Sequence, residues 1–442
     1  MSPEQLGREV TSGSFLLSAG DLFAKAIAAL GSMFIARLLC PSDYGLISVA
    51  LIFPTMLSGL TDLGISQALI RFTASSKPER YIAAGIFFKL VAGTFSALLI
   101  YFFAGPIASL VLVRPYLEPF LKVLSVYIVS NVVLGSVTST LVGLGRYGIN
   151  AILQVVQNTL RVIVTLFLIL SGMGLYGAIL GFSVSYAISS VLAFAILWRY
   201  SGLPITQPNV TALKPMLLYS LPLYAPVLLS LPLSQYYNLL LAWFVTNDQV
   251  GNYSIALNLL TPLALVGGSV STAIFSAYSK SPKRDKSGAT LNKTILYTTI
   301  IMTPISLSLI VLSQPITYII YGESYGLAPQ YLSLLALGGL YSVLGSYVID
   351  SYFKSAGATT RNLQVSLVGT AVAAPFALPM VMHFGIAGSI ASGLTGNLVA
   401  SIYALCILKA RDSTHVNVFQ AARALLSPLT AAGISALAML PL

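Results

Sequence analysis

Polar side chains interrupt the first long apolar segment of the sequence at regular intervals. In order, they are Ser14, Ser18, Asp21, Lys25 and Ser32. Spacings of three, four and seven residues place all of them on one face of an α-helix. Asp21 and Lys25 are one turn apart, so the two charges can neutralise each other. The same face can also line a polar groove, in which Lys25 would contact an anion.

A second polar stripe lies in the segment NAILQVVQNTLRVIV, residues 150–164. Its members recur every three or four residues and are Asn150, Gln154, Gln157, Asn158 and Arg161. An arginine deep in a membrane costs at least about 2.5–3.5 kcal/mol unless it faces a partner or water. Its planar guanidinium can bind two phosphate oxygens at once. Arg161 is therefore interpreted either as a structural hydrogen-bond donor or as the contact for an anionic substrate.

Three further polar residues are candidates for a transport site. Lys89 lies about 10 Å from the inner end of its segment, a depth from which a lysine can snorkel to the interface. Asp62 belongs to the turn TDLG, where a structural role is expected; the alternative is uptake of H⁺ or Na⁺ for coupling. Asn238 follows a proline-rich segment and offers an amide to sugar hydroxyls.

These polar residues are set in a chain that requires lipid as its solvent. The mean hydropathy is +0.88, 57% of the residues are hydrophobic, and only 8% are charged. Soluble domains carry about 25% charged residues. Cys40 and Cys406 form no metal-binding or redox pattern, and we predict no cofactor and no metal. The predicted fold class is an all-α integral membrane protein.

About thirteen apolar segments are long enough to span a bilayer, for which about 20 residues are needed. They cover residues 14–39, 44–70, 82–104, 116–143, 149–171, 175–198, 215–243, 250–276, 291–313, 328–350, 362–383, 386–408 and 418–440. We predict a six-helix lobe over residues 1–205, a second over 206–410, and an additional helix in 411–442.

The basic residues predict the orientation in the membrane. With the N-terminus inside, most of the 23 lysine and arginine residues fall in cytoplasmic segments, whereas Arg37, Arg114 and Lys122 fall outside. This bias is typical of a cytoplasmic N-terminus. It also explains the net charge of +11 through contacts with membrane lipids, without a nucleic-acid partner. We expect a multi-pass protein of the plasma membrane.

Internal similarity predicts two related halves. The segment DYGLISVAL, residues 43–51, matches QVGNYSIAL, residues 249–257, at an offset of 206. A second match has an offset of 211 and pairs Gly174 with Gly385 and Gly177 with Gly388. Halves of six helices enter the membrane from the same side, so the repeat is parallel. Such repeats are typical of transporters with a central cavity between the halves.

Several segments resemble the polysaccharide transporter family of oligosaccharide flippases. This family belongs to the superfamily of multidrug exporters and lipid II flippases. The similar segments are ARLLCPSDYGLISVAL (36–51), TDLGISQALIRF (61–72), YGESYGLAPQYLSLLALG (321–338), SAGATTRN (355–362) and HFGIAGSIASGLTGNLVASIYAL (383–405). The chain departs from the family in its seventh helix, where the often-seen aspartate is absent and the segment LPLSQYYNLLLAWF (231–244) offers only Asn238.

The resemblance implies a function. The substrate would be an oligosaccharide linked to a polyprenyl or dolichyl phosphate or pyrophosphate. The transporter, expected to be a monomer, would move it from the inner to the outer leaflet, with H⁺ or Na⁺ as a candidate coupling ion. One alternative is a cation-coupled multidrug exporter. Another is a membrane glycan polymerase or ligase, although the chain has only two histidines and no long outside loop for catalytic residues.

Overall fold

A computed structural model describes residues 3–74, 78–201, 210–280, 288–356 and 358–411 of the chain. In these residues all regular secondary structure is helical, which confirms the predicted fold class. The chain divides into two compact units, Met1–Trp243 and Phe244–Leu442. The predicted helix over 418–440 lies outside the described residues, and the lobe boundary at residue 205 stays a prediction.

The described part of the first unit contains nine α-helices. In chain order they are α1 (Pro3–Leu38), α2 (Pro41–Ala50), α3 (Ile52–Leu60), α4 (Ile65–Thr73), α5 (Pro78–Pro106), α6 (Glu118–Gly143), α7 (Tyr147–Leu168), α8 (Gly174–Ser201) and α9 (Leu213–Phe244). Proline occupies the first turn of several of them, where its missing N–H breaks no helical hydrogen bond. Helices α2, α3 and α4 together fill the segment predicted as one span.

The described part of the second unit contains seven helices. They are α10 (Asn247–Leu259), α11 (Thr261–Lys280), α12 (Gly288–Val311), α13 (Ser313–Tyr321), α14 (Ala328–Ala336), α15 (Ser346–Ser355) and α16 (Thr359–Arg411). Buried Asn252 holds α10 against the start of α14. Its side-chain oxygen accepts hydrogen bonds from the backbone N–H groups of Leu327 and Ala328, at 3.1 and 3.0 Å. Two segments singled out by sequence similarity therefore meet at this amide.

Many of the helices can cross a membrane. Over the described ranges, seven helices are long and apolar enough, or up to nine if each of two bent pairs is one span. Two of the seven, Tyr147–Arg199 and Thr360–Ala410, have 53 and 51 residues. Each is interrupted at a glycine and is long enough for two spans. The multi-pass helical architecture is confirmed, whereas the number thirteen is not.

The interrupting glycines agree with the predicted internal repeat. Gly174 has φ 50° and ψ −130°, and Gly385 has φ 57° and ψ −130°. Residues with a side chain rarely adopt this backbone conformation, so both positions favour glycine. At Gly177 and Gly388 an added Cβ atom would collide with backbone at the end of the preceding helix. The same glycine pair therefore makes the same sharp connection in each half.

Candidate functional site

Helix α1 packs along α7, and two glycines bring the helices close together. A Cβ atom on Gly20 would overlap Ala151, and one on Gly31 would overlap Val162. The two contacts are eleven residues apart on both helices, so α1 and α7 run parallel and in register. Small residues at such contacts are typical of helices that associate in membranes. The sequence stripes are thereby fixed relative to each other.

Asp21 and Lys25 of α1 lie on the same side of the α1–α7 pair as Gln154 and Arg161 of α7. At about 100° per residue, Asp21 and Lys25 are turned about 90–130° in one sense from the line of contact with α7. By the same rule, Gln154 and Arg161 are turned about 70–90° in the opposite sense from the contact with α1. Parallel helices face each other across the contact, so opposite turns point to one side. We call this side the shared polar face.

The opposite side of the helix pair is apolar. Its exposed side chains include Phe23, Leu30 and Phe34 of α1 and Ile163 and Phe167 of α7. Exposed apolar residues of this size are expected against lipid. A charge in lipid is costly, so the exposed charges of α1 on the shared polar face are expected to lie against water or a polar ligand.

Asp21 and Lys25 form the ion pair that their spacing suggested. Lys25 Nζ lies 2.7 Å from Asp21 Oδ2, and the two side chains are 51% and 47% exposed. The register of the helices places Lys25 level with Val156. An exposed pair one turn apart contributes only about 0.3–0.5 kcal/mol, so an incoming anion can replace the carboxylate at little cost.

Arg161 has no carboxylate partner among the described residues. Its Cζ atom lies 5.8 Å from the ring centroid of Phe182 on α8. Phe182 in turn packs against Tyr127 and Tyr186, at centroid distances of 5.0 and 5.1 Å. A cation supported by aromatic faces keeps its N–H groups free for an anion.

The side-chain amides of α7 differ in their hydrogen bonding. Asn158 Nδ2 donates to the backbone oxygen of Gln154 at 3.0 Å. Among the residues that the structure describes, the buried Oδ1 of Asn150 and Nε2 of Gln157 have no hydrogen-bond partner. Buried polar groups are usually paired, and unpaired ones mark positions where a ligand or water can bind. The roles of these amides in substrate binding stay predictions.

A second charged cluster lies deeper in the first unit, and it connects two of the predicted residues. Lys89 Nζ lies 2.7 Å from Asp62 Oδ1 and donates to Ser66 Oγ at 2.9 Å. Ser66 Oγ donates to the same carboxylate oxygen at 2.6 Å. The side chain of Lys89 is only 3% exposed and that of Asp62 19%. Gly135 of α6 faces the ammonium group, and a Cβ atom added there would lie 3.6 Å from Lys89 Nζ, an ordinary contact distance.

The expectation that Lys89 snorkels to the interface was wrong, because the lysine is buried against a carboxylate. A signal for the pair was present in the sequence. Asp62 lies eleven residues before the end of α4, and Lys89 lies eleven residues after the start of α5. Residues equally far from a short connection lie at the same depth on adjacent antiparallel spans. Comparing depths across neighbouring segments would have found this pair.

Next to Asp62 the chain is interrupted, and α9 packs against the interruption. Leu63 and Gly64 have positive φ values of 43° and 75° between α3 and α4. Ser220 Oγ of α9 donates to Leu63 O at 2.9 Å, and Tyr224 OH donates to Gly59 O. Hydroxyl groups of α9 thus satisfy carbonyl oxygens at the broken helix.

Asn238 lies farther along α9 than Ser220 and Tyr224. It is exposed, and its Nδ2 donates to Gln235 Oε1 at 3.0 Å. Within the described ranges, no group of three or more His, Cys, Asp or Glu side chains could hold a metal ion.

Comparison with solved structures defines the class of protein. The fold is similar to that of the lipid II flippase MurJ in its inward closed conformation, with a TM-score of 0.80 and 17% identity over 96% of this chain and 93% of that one. It is also similar to an inward-facing multidrug resistance MATE transporter of the MOP superfamily, with a TM-score of 0.69 and 16% identity over 88% and 94% of the chains. The protein therefore has a transporter fold.

Sequence comparison gives the family. The family model described as polysaccharide biosynthesis protein matches residues 34–330, and the chain belongs to this family. A relative with 22% identity over 381 residues is the succinoglycan biosynthesis transport protein ExoT of Rhizobium meliloti (strain 1021). The match covers 85% of this chain and 73% of the relative. The predicted family is confirmed, and the chain is a transporter rather than a glycan polymerase or ligase.

Proposed function

We propose that the protein is a flippase for a lipid-linked oligosaccharide. The cargo is carried on a polyprenyl or dolichyl phosphate or pyrophosphate and moves from the inner to the outer leaflet. The observation that carries this proposal is the shared polar face, which presents the loosely paired Lys25 and the carboxylate-free Arg161. Membership of the polysaccharide family supports a saccharide, and the cationic face supports a phosphate.

The order of the cations suggests a path for the phosphate. With the N-terminus in the cytoplasm, as the basic residues predict, α1 and α7 both run outward. Arg161 is five residues beyond Val156, the residue level with Lys25, or about 7.5 Å farther along the helix. The phosphate would first displace Asp21 from Lys25 and then reach Arg161. Alternating access of the lobes 1–205 and 206–410 would complete transfer in the plasma membrane by a monomer.

Asp62 is the proposed coupling residue, and its environment limits how H⁺ or Na⁺ can act. One carboxylate oxygen is engaged by Lys89 and Ser66. An ammonium group thus occupies a position that a coupling cation would need. Coupling at Asp62 consequently requires Lys89 to move away or the cation to bind the second carboxylate oxygen.

The second candidate function is cation-coupled export of drugs, which the similarity to MATE transporters favours. A lipophilic cation would need a carboxylate that is available for binding. Within the membrane part of the first unit, Asp21 and Asp62 are each paired with a lysine. Arg161 would moreover repel a cation. The charges on the shared polar face therefore favour an anionic cargo.

Flipping in proteoliposomes tests the proposal. The cargo is a fluorescent oligosaccharide on a lipid pyrophosphate, and a quencher added outside reports the fraction in the outer leaflet. Wild type is compared with Arg161→Ala and Lys25→Ala. Lys354→Ala is the matched control, because Lys354 pairs with Asp350 at 2.6 Å with the same i,i+4 spacing and 50% exposure.

We expect flipping by wild type and Lys354→Ala, and loss of flipping in both other variants at unchanged elution from a sizing column. Full activity of Arg161→Ala would remove that residue from the path. Export of a lipophilic cation by wild type, without any flipping of the lipid, would establish the drug-exporter alternative.

A further inference from the structure

Two arginines stack on a group of aromatic rings where α4, α5 and α9 meet. Arg71 Cζ lies 4.1 Å from the ring centroid of Tyr219 and 5.9 Å from that of Phe72. Arg80 Cζ lies 5.1 Å from the ring centroid of Tyr81. The ring of Phe72 is 4.9 Å from that of Tyr81 and 6.0 Å from that of Tyr219. We call these five residues the arginine–aromatic cluster.

The positive charges of the cluster are not neutralised by acidic side chains. Within the described ranges, neither Arg71 nor Arg80 forms a salt bridge, although Glu79 directly precedes Arg80. The Nε atom of Arg80 is buried and has no hydrogen-bond partner in the described part of the chain. Ring stacking occupies the face of a guanidinium and leaves its N–H groups in the plane available. Both arginines are therefore held in place by the rings and keep in-plane N–H donors that can bind an anion.

The aromatic rings of the cluster pack against buried residues, which fix the geometry of the cluster. Phe72, Tyr81 and Tyr219 pack against a buried core that includes Leu69 and Met216. The end of α6 also approaches closely, because a Cβ atom on Gly143 would meet Ile70 and Thr73 of α4. Residues held in this way lose little conformational entropy when a ligand binds.

We propose that the arginine–aromatic cluster binds the phosphate or pyrophosphate group of an anionic isoprenoid lipid before transport. Two guanidinium groups can each donate two hydrogen bonds to phosphate oxygens. The basic-residue bias places this end of the helices in the cytoplasm, where a lipid-linked substrate would enter. Contact with α9, which also packs on the break beside Asp62, would link loading of the lipid to that helix.

This inference rests on the proposed function only for the identity of the lipid. A phosphate site built in this way requires arginine, whereas a general attraction to anionic membranes requires only positive charge. Arginine and lysine contribute equally to the positive-inside bias. Only arginine combines ring stacking with a two-pronged donor to phosphate. Exchange of arginine for lysine therefore separates a built phosphate site from charge alone.

Binding is measured with the full-length protein in nanodiscs of neutral lipid. The probe is a fluorescent short-chain isoprenyl pyrophosphate, and polarisation reports its binding. Arg71→Lys and Arg80→Lys are compared with wild type, and Arg146→Lys is the matched control at the exposed α6–α7 turn. Tyr219→Leu tests the stacking independently if a lysine variant fails to fold.

We expect Arg71→Lys, Arg80→Lys and Tyr219→Leu each to weaken binding by about tenfold or more, the effect of losing one charge-assisted hydrogen bond. Arg146→Lys should bind like wild type. Displacement of the probe by inorganic pyrophosphate alone would support a site for the free anion, and failure of displacement would support one for the lipid.

Unchanged affinity in the lysine variants, or no binding of the probe to wild type, would overturn the inference. The measurement does not depend on flipping. A wild-type protein that binds the probe but does not flip lipid would contradict the proposed function and leave this site standing.

Discussion

Breaking the buried pair of Asp62 and Lys89 should destabilise the protein strongly. Removing one partner of a buried ion pair costs about 3–5 kcal/mol, because the other charge is left uncompensated. Lys89 is 3% exposed and Asp62 19%, so water cannot replace the missing partner fully. Asp62→Asn leaves a buried ammonium, and Lys89→Met leaves a buried carboxylate. We expect each single variant to lose about 3 kcal/mol or more.

The double variant should be less damaged than the sum of the two single variants, because it leaves no buried charge. The assay is an unfolding titration in mixed micelles, and a double-mutant cycle gives the coupling energy between the two residues. The exposed pair of Asp350 and Lys354, 2.6 Å apart, is the control, with an expected coupling of about 0.3–0.5 kcal/mol. Additive effects at Asp62 and Lys89, or single losses below about 1 kcal/mol, would refute the reasoning.

Three further predictions concern packing and backbone. Gly31→Ala should destabilise the α1–α7 contact by about 1–3 kcal/mol in the same titration, whereas Gly148→Ala, which meets open space, should not. Gly385→Ala should cost about 1–3 kcal/mol, because residues with a Cβ atom rarely adopt its φ of 57° and ψ of −130°. Gly268→Ala should be neutral or stabilising, and equal effects of the two substitutions would contradict this. Asn252→Ala should cost about 1–3 kcal/mol by orphaning two backbone N–H groups, as increased proteolysis near α14 would show.

Local patterns in the sequence were sufficient for the all-helical fold class and for one of the ion pairs. The pairing of Asp21 with Lys25 follows from one helical turn, and both residues are where that spacing puts them. Gly174 and Gly385 were matched by offset alone and share one backbone conformation. In each case the relevant interaction lies within a few residues of the chain, so the local sequence pattern is enough to predict it.

Contacts between distant segments were not predictable in the same way. Lys89 meets Asp62 across 27 residues, and the periodicity of either helix alone does not show the pair, which emerges only when depths on neighbouring spans are compared. The close approach of α1 and α7 depends on Gly20 and Gly31, whose spacing becomes meaningful only when the partner helix is known. The break at Leu63 depends likewise on hydroxyl groups from α9.

The way in which each cation is held separates structural from anion-binding roles. Lys89 is buried against a carboxylate and a hydroxyl group, so its charge is already used inside the protein. Arg161 and Arg71 are instead supported by aromatic rings and have no carboxylate within reach among the described residues. A ring stabilises a guanidinium without consuming its hydrogen-bond donors. For this reason we propose the two arginines, rather than Lys89, as the phosphate contacts, because Lys89 must first lose a partner of its own.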